Sequence, residues 1–185
     1  MSFLSRCVQA VAGVASALVA ACSAQPALQI ENGRLQPPAG QGYVVLALTL
    51  QSLSTDQADL QVELLGASSR HSLRADISHD SIVGPAGDVR GRLWVLPLAE
   101  GSYTLSQAWG NWAAKGANGR GGQTHFQLDR RFQIAAGEVL YLGEISAQLN
   151  FASTLAYSDQ ATRDFYQLKQ WGVQDASQIA TRLLQ

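Results

Sequence analysis

Two thiols, three imidazoles and a glycine-rich stretch holding two indoles are the places where this 185-residue chain could do chemistry. Cys22 is the most specific of them. It follows Leu18-Val19-Ala20-Ala21, and a short run of small residues, Val and Leu from Val8, interrupted by Gln9, leads into it. Small side chains at 20 and 21 let a peptidase take the backbone into its cleft, and a cysteine thiolate is a nucleophile that can accept an acyl-bearing group. The imidazoles are His71, His79 and His125. His71 and His79 flank a strand-like segment with Asp76 and Asp80 nearby, and imidazole with carboxylate is a metal-ligating combination. The spacing matches no established metal site, so these residues are taken as surface polar groups, and no metal or other cofactor is expected.

For nucleophilic catalysis the chain lacks a Gly-x-Ser-x-Gly elbow. Gly119-Arg120-Gly121-Gly122-Gln123 has neither the spacing nor the helix of a dinucleotide-binding turn. Glu138 and Glu144 share one strand parity but stand too far apart for a catalytic carboxylate pair. The expectation is a non-catalytic protein. The competing class is a metal-dependent or hydrolytic enzyme, which would need His79, Asp80 and His125 to meet in one pocket. A third class, an accessory subunit of an envelope or export assembly, is not separable by sequence.

The better binding candidate lies between Trp109 and Gln123. Trp109, Trp112 and Arg120 would form an adhesive tip, because Trp and Arg dominate binding hot spots. Against it stands a structural alternative, in which both indoles fold back to cap the open end of the domain. A long loop without structure of its own is either functional or disordered.

Residues 1–21 have the three parts of an export leader: Arg6 and the amino terminus for positive charge, the apolar run, and Ala20-Ala21 before the cleavage point between Ala21 and Cys22. The run is too short for a transmembrane helix, which needs about 20 apolar residues. Val19-Ala20-Ala21-Cys22 resembles the bacterial lipoprotein signal, and that resemblance implies acylation (palmitate among the chains) on Cys22 and a protein held to the membrane by lipid. Several acyl chains anchor stably where one does not, at about 0.8 kcal/mol per buried CH₂. Ser23 follows Cys22 where Gram-negative lipoproteins kept in the inner membrane carry Asp, so the resemblance also implies the outer membrane, facing the periplasm or the surface. The alternative is an ordinary secretory leader, with Cys22 a free thiol. Cys7 would leave with the leader, so an acylated mature chain has no disulfide and relies on its hydrophobic core.

The composition suits that core: 46% of residues are hydrophobic and 15% charged. Net charge is -1, with Arg130-Arg131 the only adjacent basic pair, and a nucleic-acid partner, which would need a basic face, is not expected.

Short apolar runs punctuated by glycine point to an all-β domain. Tyr43 to Leu50 is the strongest strand: Val44, Leu46, Leu48 and Leu50 share one face, and Tyr43, Val45 and Ala47 the other, as in a strand buried on both sides. Leu60, Val62 and Leu64 alternate with Gln61 and Glu63, which predicts a half-buried strand. Further strands are expected over 27–35, 70–78, 92–98, 102–108, 125–135, 139–145 and 151–157, with Glu100-Gly101 turning a tight hairpin and Tyr103 and Leu105 facing inward. The period then changes. Ser158 or Asp159 can cap a helix carrying Ala161, Phe165, Leu168 and Trp171 on one face, stopped by Gly172. Asp175 can cap a second short helix with Ile179 and Leu183 inward.

Leu96-Pro97-Leu98-Ala99-Glu100-Gly101-Ser102-Tyr103-Thr104-Leu105 and Phe132 to Gly143, with its Ala136-Gly137-Glu138-Val139-Leu140-Tyr141-Leu142-Gly143, together resemble the prealbumin-like (transthyretin or carboxypeptidase-regulatory-like) β-sandwiches of bacterial lipoproteins. The resemblance runs from Tyr43 to Trp171 and includes the tail helix around Arg163-Asp164. It departs from the family's usual Pro-x-Gly turn, and its motifs bear on fold alone. The expected organisation is a signal peptide over 1–21, a tether over 22–26, an antiparallel sandwich over 27–158 and a helical tail over 159–185 packed on it. The expected role is binding or structural support, toward an envelope protein or a glycan near the membrane.

Overall fold

In the computed structural model the described residues are 28–53, 57–113 and 121–184. The leader, Ala21, Cys22, the tether and Arg120 lie outside them.

The strand expected to be central is central. β3 (Gln41–Ser52) pairs antiparallel with β7 (Val89–Ala99) on one side and parallel with β10 (Val139–Leu149) on the other. This six-stranded sheet is extended by β6 (Ser81–Ile82) beside β7 and by β11 (Thr154–Ser158) and β12 (Ile179–Thr181), which share the outer edge of β10. A four-stranded sheet packs on it. It consists of two hairpins, β4 (Ala58–Leu65) with β5 (Arg70–Asp76) and β8 (Gly101–Trp112) with β9 (Gly122–Ile134), joined through β4 and β8.

Two cores follow from the alternation of side chains across a strand. Val44, Leu46, Leu48 and Leu50 meet Leu60, Val62, Leu64 and Leu105 between the sheets. Tyr43, Val45, Ala47 and Tyr141 point the other way, into a second core closed by α1 (Ala161–Gln170) and a small hairpin, β1 (Ile30–Glu31) with β2 (Arg34–Leu35). The molecule is thus an all-β sandwich with a third, partial layer of helix and hairpin.

Four expectations need correction. The sandwich is not purely antiparallel, because β3 and β12 both run parallel to β10. Glu100-Gly101 does not make a hairpin. β7 and β8 belong to different sheets, so the turn is a corner between layers, closed by the Tyr103 hydroxyl donating to the Ala99 carbonyl at 2.9 Å. The second tail helix is absent. Asp175 accepts the Ser177 amide in a local turn, and 179–181 then finds free backbone partners along β10, which outweigh helical periodicity in so short a segment. Trp171 turns to solvent, 38% exposed, while Leu168 is fully buried.

The helix is pinned by charge as well as by apolar contact. Gly143 adopts φ +90° at a bulge in β10, where the pairing with β3 slips between Tyr141 and Glu144. The extra residue turns Glu144 toward α1. There Thr49 and Ser158 donate to its carboxylate at 2.8 and 2.6 Å, and Arg163 Nη1 at 2.7 Å. Arg163 Nε also donates to Asp164 Oδ1 at 2.8 Å, and the Tyr141 hydroxyl to Asp164 Oδ2 at 2.7 Å. Gln167 on the next turn accepts the Val83 amide at 2.7 Å, tying the helix to the loop after β6.

Burial pushes both carboxyls upward, with different outcomes. At Glu144 the bonds from Ser158, Arg163 and Thr49 together outweigh it and hold the pKa below the ordinary value. At Asp164 burial prevails over Tyr141 and Arg163, and the pKa is raised. Burial and the Asp164 charge likewise drive the Tyr141 phenol upward.

Arg163 bridges two buried carboxylates, and removing one partner of such a set strands the others. Arg163→Met should lower unfolding free energy by about 3–5 kcal/mol in urea titration. The pH dependence has opposite signs at the two acids. The depressed Glu144 stabilises the fold above the ordinary glutamate pKa of about 4.3, and that contribution fades as pH falls through the folded value. The raised Asp164 contributes most below its ordinary value and loses the contribution as pH rises through the folded one. Glu144→Gln should therefore flatten the acid limb of the stability profile, measured by urea midpoints stepped down from neutral pH.

Candidate functional site

With the six-stranded sheet covered on both sides, the outer face of the four-stranded sheet is the broad sheet surface left to water. Its side chains are set by register. Across β5, β4, β8 and β9, one row reads Arg74, Gln61, Trp109, His125. The row on one side reads Ser72, Glu63, Gln107, Gln127, and the row on the other Asp76, Asp59, Asn111, Gln123. An indole therefore stands near the middle of a polar grid.

Trp109 reaches this face through a second bulge. Tyr103 and Leu105 point inward, and strict alternation would send Gln107 and Trp109 inward after them. Instead the pairing of β4 with β8 slips at Glu63 and Leu64, where β8 carries the extra residue Ser106. Ser106 and Gln107 both turn out and donate to Glu63 Oε2, at 2.6 and 3.1 Å. Beyond them Ala108 and Trp112 enter the inter-sheet core and Trp109 faces outward. Glu63 is 8% exposed. The Ser106 bond lowers its pKa most; burial opposes this, and Gln107 and the Arg70 guanidinium, 3.2 Å away, reinforce it.

The grid is partly self-satisfied. Asn111 donates to Asp59 at 3.1 Å, and Arg74 lies 3.3 Å from Asp59 and 3.4 Å from Asp76. His125 Nε2 lies 2.9 Å from Gln107 Oε1, with its ring tilted against Trp109 at 5.7 Å between centroids. The Gln61 side chain, beside Trp109, has no partner among the described residues.

The candidates from sequence separate. Trp109 and Trp112 are not a pair on one tip: both belong to β8, Trp109 half-buried on the outer face and Trp112 in the core with Phe151 edge-on at 6.3 Å. The segment read as a loop is strand at both ends, 109–112 and 122–123. His79 sits in a turn after β5, where its Nδ1 lies 3.1 Å from Asp76 and 2.9 Å from Ser78, and a shallow hollow beside it is shared with Asp80, Arg92 and Trp171. His125 lies on β9 among other partners, so these imidazoles do not line one cavity. Burial lowers the His71 pKa. Among the described residues no three His, Cys, Asp or Glu side chains are grouped to hold a metal ion. Glu138 and Glu144 do not share a face either, because the Gly143 bulge lies between them.

The residues that sequence missed are Gln61, Glu63, Gln107 and Asn111. For β4 the signal was available, since Gln61 and Glu63 alternate with inward Leu60, Val62 and Leu64. For β8 it was hidden by the bulge.

The chain matches no family model, no curated protein and no solved structure.

Opposite orientations of the two indoles predict unequal costs. Trp112→Ala opens the core and should cost about 3–5 kcal/mol. Trp109→Ala gives up only cross-strand contacts, about 1 kcal/mol. Paired urea denaturation curves measure both, and equal losses would contradict the orientations.

Proposed function

We propose that this chain is a lipid-anchored protein of the bacterial envelope, most simply at the outer membrane, whose sandwich works by binding and not by catalysis. The observation that carries the binding reading is the outward turn of Trp109 into a polar sheet face. Half-buried indole flanked by amides, imidazole and guanidinium is the composition of a recognition surface. The anchor is supported by Val19-Ala20-Ala21-Cys22 and the leader before it. The prealbumin-like likeness belongs to the same reading, supported by the Gly101–Tyr103 corner and the Gly137 turn, where φ is +78°.

Geometry links anchor and face. Leu28, the first described residue, packs on the second core, and the Gln29 amide donates to the Tyr43 hydroxyl. The chain therefore enters the fold on the helix side. Six residues, 22–27, reach at most about 20 Å. With lipid on Cys22, the helix and hairpin would lie toward the membrane, and the Trp109 face, two layers away, would look into the envelope space. An envelope protein or glycan is the partner class this orientation suits.

Mass spectrometry of the mature protein should show acyl chains on Cys22, and Cys22→Ala should move the protein from the membrane to the soluble fraction. Trp109→Ala should leave fractionation unchanged and weaken capture of the partner from envelope extracts. An unacylated mass, or unchanged fractionation of Cys22→Ala, would remove the anchor from this reading.

A further inference from the structure

We infer that the Trp109 face takes an uncharged glycan strand, laid across the outer side of the four-stranded sheet with a sugar ring on the indole and its hydroxyls on the flanking amides. This rests on the binding role proposed above and names its ligand class.

Size is the first support. Neighbouring strands stand about 4.8 Å apart and successive rows about 7 Å, so four strands by four rows, the fourth being Arg70, Leu65, Thr104 and Arg131, make a platform about 14 by 21 Å, roughly 300 Å². A stable protein interface needs about 800 Å² per partner. The grid suits a few sugar rings far better than a folded protein.

Charge is the second. Arg70 is paired with Glu63, and Arg74 with Asp59 and Asp76. Both of these guanidiniums are engaged by carboxylates, which outnumber them three to two, so a polyanion would meet more negative than positive charge around the indole.

Chemistry is the third. The central row sets the free amide of Gln61 directly across from Trp109, with His125 on the other side. An indole face attracts the polarised C–H groups of a sugar ring, and amide and imidazole both donate and accept, which is what a hydroxyl requires. Neutral polar groups also cost less to desolvate than ions.

Native affinity electrophoresis tests this with the full chain in a detergent lacking a sugar headgroup. The gels carry dextran, laminarin, soluble starch or, as the anionic arm, alginate. Retardation is expected in at least one neutral gel and not in alginate alone. Trp109→Ala should weaken it at least about tenfold, the loss expected of a hot-spot aromatic. Gln61→Ala, at a position whose side chain holds no partner, should weaken it without shifting the urea midpoint. No retardation in any neutral gel, retardation in alginate only, or retardation that both variants leave intact would overturn the glycan assignment. If the neutral gels fail while Trp109-dependent capture of an envelope protein persists, the glycan is wrong and the binding role stands. If capture fails as well, both fall.

Discussion

A sheet that is apolar on both faces must be covered twice, and the rest of this structure follows from that constraint. β3 carries leucines and valine toward one side and Tyr43, Val45 and Ala47 toward the other, and β10 and β7 repeat the pattern. One sheet covers the first side. The second side is closed by what the chain has left at its ends: the β1–β2 hairpin, α1 and Val173. The parallel pairing of β3 with β10 has the same origin. Strands buried on both sides need backbone partners without exposing an edge, and β10 finds them in β3 on one flank and in β11 and β12 on the other.

Two bulges then distribute the polar residues. Each inserts one residue and reverses which face the following side chains occupy. At Gly143 the reversal sends Glu144 to the helix, where Arg163 and two hydroxyls meet it. At Ser106 and Gln107 it sends Trp109 to water and Trp112 to the core, with Glu63 as the acceptor that holds both outward residues. A bulge stabilised by a buried carboxylate is a fixed feature of the sheet, because Glu63 without Ser106 and Gln107 would be a buried acceptor short of donors.

This explains what could be read in the sequence. The all-β class, the central strand, the inward residues of β4 and the helix stopped by Gly172 were legible, because each rests on local periodicity with no interruption. Trp109 and Glu144 were not legible, because each lies just beyond a bulge, and a shift of one residue inverts a period-two pattern. The second tail helix failed for a different reason: Ile179 to Thr181 has helical spacing, but open backbone groups on the edge of β10 outcompete a helix too short to hold itself together. The parallel strand pairs failed for a third, since pairing partners distant in sequence leave no local mark. The glycine-rich stretch looked like a loop from Trp109 onward because its glycines conceal strand: Gly110 and Gly122 are paired in register with Thr124 and Trp112, and a Cβ on Gly110 would overlap Leu149.

The two polar clusters also differ in what they leave over. Around Arg163 nearly every oxygen is spoken for: both Glu144 oxygens and both Asp164 oxygens accept bonds from within the chain. Such a cluster is a clasp, and its buried charges are tolerable only because they satisfy one another. On the outer sheet face Arg70 and Arg74 also meet carboxylates, while Gln61 and the indole of Trp109 are not engaged by any charged group. A surface that pairs Arg70 and Arg74 with carboxylates and leaves an amide without a partner beside an aromatic face retains groups suited to a shaped, polar, uncharged ligand. That asymmetry, between a clasp whose carboxylate oxygens are all taken on the helix side and a grid with an unpartnered amide on the far side, is why the proposed binding surface is placed on the four-stranded sheet and not beside the helix.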